Sequence, residues 1–137
     1  MAAVAIGGAI GGGARYGVGR LLAESSAASP WTTFAVNVLG TLLLGWFLAW
    51  SVRRRRERGH AASHRIPLVA TGVLGSFTTF STFVLDATEL ASAGHVVASV
   101  AYAGGSVALG LAAAAVGLRI GGGPAGGAPT GAKATRP

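Results

Sequence analysis

The sequence predicts an all-α membrane protein with four transmembrane helices, the third of them broken near its middle. Three observations carry that expectation. Of 137 residues, 51% are hydrophobic and only 11% are charged, whereas a soluble domain carries about a quarter charged residues. The charges avoid three long apolar runs, each near the ~20 residues that a helix needs to cross a bilayer. Within one run, glycine, hydroxyl and phenylalanine residues stand where a lipid-facing helix would carry Leu, Ile and Val. There is no cysteine, so disulfides, thiolate metal sites and cysteine nucleophiles are excluded. Much of the net charge of +7 sits in Arg53, Arg54, Arg55, Arg56 and Arg58, directly after an apolar run. That placement reads as a cytoplasmic anchor ahead of a nucleic-acid site.

The first span, residues 2–23, is the weakest, because Arg15 and Arg20 interrupt it and glycine is dense. A cleaved signal peptide would want a basic start and an unbroken apolar centre, and no Lys or Arg precedes Arg15. Gly7, Gly8, Gly11, Gly12, Gly13 and Gly17 give small-xxx-small spacings that allow close helix packing in lipid. A phosphate loop would need a Walker lysine and a strand-turn-helix setting, and neither is present. The second span, 31–52, follows Pro30 and ends in the arginines. The third, 66–85, is charge-free up to Asp86, and the fourth, 96–118, up to Arg119. Residues 24–30, 53–65 and 86–95 then form short connections, with no soluble domain between spans. Residues 121–137 are rich in Gly, Pro and Ala, the composition of a disordered tail.

The polar residues inside these spans are the candidates for chemistry. Arg15 must snorkel, face water or find an acceptor; snorkelling and an anion-attracting vestibule role are weighed equally. Asn37, a third of the way into the second span, is either interhelical glue, the preferred reading, or part of a solute path. In the third span, Gly72 and Gly75 followed by five Ser/Thr hydroxyls predict a broken helix. Such backbone is tolerated only where it is buried or lines a cavity. Phe80 and Phe83 share a helical face, which ordinary packing would explain; the alternative is that their electropositive ring edges meet an anion. Tyr102, Ser106 and Gly110, four apart, form one stripe on the fourth span. His60, His64 and His95 are too scattered for a metal site and read as solvated.

The run from Gly75 to Phe83, Gly-Ser-Phe-Thr-Thr-Phe-Ser-Thr-Phe, together with Gly-Ala-Arg15-Tyr16 and Asn37-Val-Leu-Gly40, closely resembles the small bacterial fluoride channels called Fluc or CrcB. The match touches all four spans, residues 1 to 119. The resemblance implies a four-helix subunit in an antiparallel dimer in the bacterial cell membrane, with two fluoride pores and one structural Na⁺ at the dimer centre. It implies that Asn37, Phe80, Phe83, Tyr102 and Ser106 line the pore, that Arg15 serves a vestibule, and that the backbone carbonyls of Gly75 and Thr78 hold the sodium. Gly110 departs from relatives that carry serine there, and Asp86 from the many that carry glutamate. The implied activity is passive export of fluoride from the cytoplasm. Neutral HF crosses membranes, ionises in the less acidic cytoplasm and is trapped, so a channel suffices. A strongly hydrated small anion needs several weak donors in place of water, which an amide, hydroxyls and ring edges supply.

Other classes fit less well. A proton-coupled drug exporter wants a carboxylate inside the membrane, and the span boundaries above leave none in a central span. A noncatalytic assembly subunit would use every polar residue as glue. An enzyme lacks a carboxylate pair, a nucleophile with its base, or a metal-ligand cluster. With four spans, the arginine-rich side also carries both termini, which places them in the cytoplasm. An antiparallel homodimer needs one chain to insert both ways, so the asymmetry predicts a heterodimer with an oppositely oriented homologue, with a dual-topology homodimer as the alternative.

Overall fold

The computed structural model describes residues 1–23, 30–58 and 67–122, which are helical except at short breaks and contain no strand. The tail from residue 123, with His60, His64 and Arg65, lies outside the described residues. Helix α1 is Ala2–Ala23 and α2 is Pro30–Arg58. Next comes α3, residues 67–77, wound in wide π-type turns over Pro67–Leu74 and regular over Gly75–Phe77. Helices α4, Phe80–Ser92, and α5, Val96–Gly122, complete the chain.

Three helical segments are long and apolar enough to cross a membrane: Pro30–Arg56, Pro67–Ser92 and Val96–Gly122. Pro30 and Pro67 open theirs, at the position where a missing N–H costs nothing. Glycine dilutes hydrophobicity in α1, and Arg15 and Arg20 add charge.

Helix directions follow from paired contacts. A side chain at Gly7 would run into the Leu68 carbonyl and one at Gly11 into the Val73 carbonyl, so α1 and α3 lie backbone to backbone and parallel. Gly8, Gly12, Gly13 and Gly17 face open space, so the close approach uses one glycine pair of the several the sequence offers. Gly45, Gly117 and Gly121 bring α2 and α5 together in the same way, also parallel, with Gly117 against Leu42 and Gly121 against Trp46. Helices α4 and α5 form an antiparallel hairpin. Its turn is Gly94, at φ +83°, with the Ala93 N–H bonded to the Glu89 carbonyl at 3.0 Å and the His95 N–H to Leu90 at 2.9 Å. Met1, the arginines of α2, Pro67 and Gly122 therefore gather at one end.

Three expected boundaries move, the least of them at the end of the fourth span, where α5 runs through Arg119 to Gly122. The arginines do not end the second helix, which continues through them to Arg58; arginine is a good helix former. The third span does not end at Asp86. Helix α4 runs on to Ser92, and Asp86 lies inside it, 8% exposed, accepting a hydrogen bond from the Tyr102 hydroxyl at 3.1 Å. A carboxylate with a donor on the neighbouring helix has no need of a loop.

Among the described residues no large side chain is fully buried, while Ile6, Leu39, Val97, Val107 and Leu111 are each about half exposed or more. These exposed apolar faces suit lipid or another chain.

Candidate ion pathway

Between Phe77 and Phe80 the helix gives way: Thr78 has ψ 153° and Thr79 is fully extended, at φ −143° and ψ 119°. Asn37 of α2 holds this point. Its Nδ2 donates to the Thr79 carbonyl at 3.0 Å, and the Thr79 N–H donates to its Oδ1 at 2.8 Å. Both ends of the amide thus pair with one residue's backbone, which is the glue role; one Nδ2 hydrogen remains for another acceptor.

The interruption redirects donors that a continuous helix would use. The Thr79 N–H, which would bond the Gly75 carbonyl, goes to Asn37. The Thr82 N–H, which would bond the Thr78 carbonyl, goes to Thr79 Oγ1 at 3.3 Å and caps α4. Gly75 and Thr78 therefore each present a carbonyl deprived of its helical partner, and oxygen atoms of this kind suit a hard cation. The hydroxyls do not fill the gap. Ser76 Oγ lies 2.8 Å from the Gly72 carbonyl and 3.0 Å from that of Gly8 on α1, and Thr78 Oγ1 donates to Leu74 at 3.1 Å. Glycine at 72 and 75 marks the close contact with α1 and the turn before the break; the interruption itself falls at Thr78 and Thr79.

Beside the break runs a groove of about 370 Å³, open on one side and lined by Asn37, Thr41, Thr78, Thr79, Phe80, Phe83, Ser106, Val107, Gly110, Leu111 and Ala114. Phe80, 78% exposed, stands at the opening. Its ring centre lies 5.8 Å from that of Phe83, which in turn lies 5.6 Å from Tyr102, a three-ring ladder. Ser106 Oγ is buried with no hydrogen-bond partner. An unpartnered buried hydroxyl costs about 1–3 kcal/mol, so a ligand able to accept its proton is favoured here. The wall is otherwise largely apolar, and none of its side chains carries a full charge.

Of the residues singled out in the sequence, the groove gathers Asn37, Thr78, Phe80, Phe83, Ser106 and Gly110, while Gly75 lies outside its lining. Tyr102 stands behind Phe83 with its hydroxyl turned to Asp86, so the Tyr102–Ser106–Gly110 stripe divides between two environments. Arg15, half-buried on α1, does not line the groove; it lies one turn past Gly11, at the depth of the break. Sequence reasoning missed Asp86 and the paired role of Thr79. The signal for Asp86 was available: it lies three residues after Phe83, on the same helical face.

A family model described as CrcB-like protein, Camphor Resistance (CrcB), matches residues 2–118. The chain belongs to the CrcB-like family. Relatives named Fluoride-specific ion channel FluC include one from Paracoccus denitrificans, 41% identical over 118 residues, covering 86% of this chain and 90% of that one. One from Thermus thermophilus is 42% identical over 120 residues, covering 87% and 92%. A further one from Symbiobacterium thermophilum, named FluC 2, is 44% identical over 121 residues, covering 88% and 95%. The match to the CrcB-like family thus takes in α1 to α4 and α5 as far as residue 118.

Proposed function

We propose that this chain is a subunit of a fluoride-specific ion channel that passively exports fluoride from the cytoplasm. The observation that carries it is the groove, where an unpartnered Ser106 hydroxyl, the spare Asn37 hydrogen and the Phe80 and Phe83 rings converge beside a helix break. The names borne by the CrcB-like relatives add to it. Fluoride would pass along the groove by exchanging water for the Ser106 hydroxyl, the Asn37 amide and the two ring edges, each a weak donor.

The finer architecture belongs to the same reading. Four crossings are supported by the alternating directions of α1, α2, the α3–α4 pair and α5. The groove is open along one side, and a second subunit, antiparallel to the first, would supply the missing wall. Residues Val107 and Leu111, 57% and 68% exposed beside it, suit such contact. The deprived carbonyls of Gly75 and Thr78 would hold a Na⁺ between two such breaks, where its charge joins the subunits. Arg15, at the same depth, would draw anions toward the pathway. The cell membrane of a bacterium is the site, with both termini cytoplasmic.

The absence of a membrane carboxylate no longer argues against a proton-coupled exporter, because Asp86 is buried within α4. Membership of the CrcB-like family is what favours the channel. Flux from liposomes separates the two: a channel moves fluoride down its own gradient whatever the direction of the proton or sodium gradients. Flux that follows either gradient would overturn the reading.

A further inference from the structure

The basic end of α2 is a structured surface. At about 1.5 Å per residue, the 29-residue helix spans about 43 Å, well beyond the ~30 Å hydrocarbon core. Trp31 and Trp50, nineteen positions apart, lie about 28 Å apart along the axis, the spacing of two interfacial aromatic belts. The turns after Trp50 therefore stand at headgroup level on one side.

On that side Trp46 and Trp50 stack with ring centres 6.2 Å apart, and the Arg54 guanidinium lies 5.2 Å from the centre of the Trp50 ring. Leu39, Leu43 and Trp46, at 48%, 38% and 41% exposure, continue the same stripe toward the middle of the membrane. At about 100° per residue, the stripe sits roughly 180–260° around the helix from Asn37, so it faces away from the groove. Arg55 and Arg56 are exposed, and so is Arg119, two residues before the α5 glycine that touches Trp46 and Ala49.

We propose that the Trp46–Trp50–Arg54 face, at the end of the molecule where Arg55, Arg56 and Arg119 also stand exposed at headgroup level, binds the phosphate headgroup of an anionic phospholipid. A bilayer lipid alone brings both parts of the match. Its acyl chains cover Leu39, Leu43 and Trp46, and its phosphate meets guanidinium groups that can donate two hydrogen bonds at once. Clusters of four or more Lys/Arg just beyond a span draw anionic lipid, by about fivefold in association for each cation near the surface. Trp50 holds Arg54 on the lipid-facing side instead of letting it extend into water. The proposal stands apart from the fluoride reading, since no groove residue takes part.

The test uses the full chain carrying Trp31→Phe, so that only Trp46 and Trp50 emit, in vesicles of phosphatidylglycerol and phosphatidylcholine in equal parts. One of the two lipids carries brominated chains, which quench nearby tryptophan. Brominated phosphatidylglycerol is expected to quench more than brominated phosphatidylcholine, with an association ratio of about fivefold or greater at low salt, falling toward one as salt rises. Arg54→Gln, Arg55→Gln and Arg56→Gln together should lower the ratio severalfold, and Lys at the same three positions should keep most of it. A ratio of one in the unsubstituted arginine cluster, or a ratio indifferent to salt, overturns the proposal. So does a ratio of one accompanied by a fluorescence change on adding an oligonucleotide, which would assign the cluster to a soluble polyanion.

Discussion

Asn37 and Thr79 meet through two hydrogen bonds, between both ends of the Asn37 side-chain amide and the Thr79 backbone N–H and carbonyl. Asn37→Asp replaces a donor with an acceptor opposite the Thr79 carbonyl, 3.0 Å away, and puts negative charge on the groove. The expected result is abolished fluoride flux and a loss of about 1–3 kcal/mol in stability, read by liposome efflux and by unfolding in mixed micelles. The Asp86–Tyr102 pair gives a second expectation. Tyr102→Phe removes the carboxylate's donor at 3.1 Å and should cost about 1–3 kcal/mol by the same unfolding assay. Asp86→Asn, which still accepts that bond, should cost less; equal costs would show that the carboxylate does not depend on this donor. Asn37, Phe80, Phe83 and Ser106 were legible in the sequence because a polar or aromatic residue in an apolar run stands out at once. Asp86 was not, because a lone acid near the end of such a run looks like its boundary until the opposing tyrosine is seen.

Helix packing turns on a few glycines, and spacing alone did not say which. Gly117→Val would drive a side chain into the Leu42 carbonyl on α2, whereas Gly13→Ala meets open space. Gly117→Val should therefore disrupt the α2–α5 pair, with little stable protein recovered from detergent, while Gly13→Ala elutes and melts as the parent does. Reversal of that order would refute the assigned helix pairing. The glycines and hydroxyls of the third span point to an interruption around Gly75 to Thr78, and the chain leaves helical geometry at Thr78 and Thr79. At Gly72 the chain packs against Gly7 of α1, and the acceptor that takes the Thr79 N–H out of the helix is Asn37 Oδ1, forty-two positions away. Long-range partners of that kind leave no local trace.

At the scale of the whole molecule, the helix directions collect Arg53, Arg54, Arg55, Arg56, Arg58 and Arg119 at one end and leave Arg20, in the last turn of α1, toward the other. Reporter fusions at both termini should then give cytoplasmic signals only. With an antiparallel dimer, this chain alone would conduct poorly until an oppositely oriented homologue is supplied; equal inside and outside signals together with full flux would establish a dual-topology homodimer instead. Apolar runs and charge placement made the membrane class legible, while assembly depends on faces that meet only between chains. Conduction is the central claim, and efflux from fluoride-loaded liposomes tests it most directly, with the chain reconstituted alone and then beside an oppositely oriented homologue, so that a competent dimer is present. Fluoride should leave rapidly while chloride is retained, and Phe80→Ile or Phe83→Ile should stop the fluoride. Chloride leaving as readily as fluoride, or fluoride flux unchanged in both variants, would contradict a fluoride path along this groove.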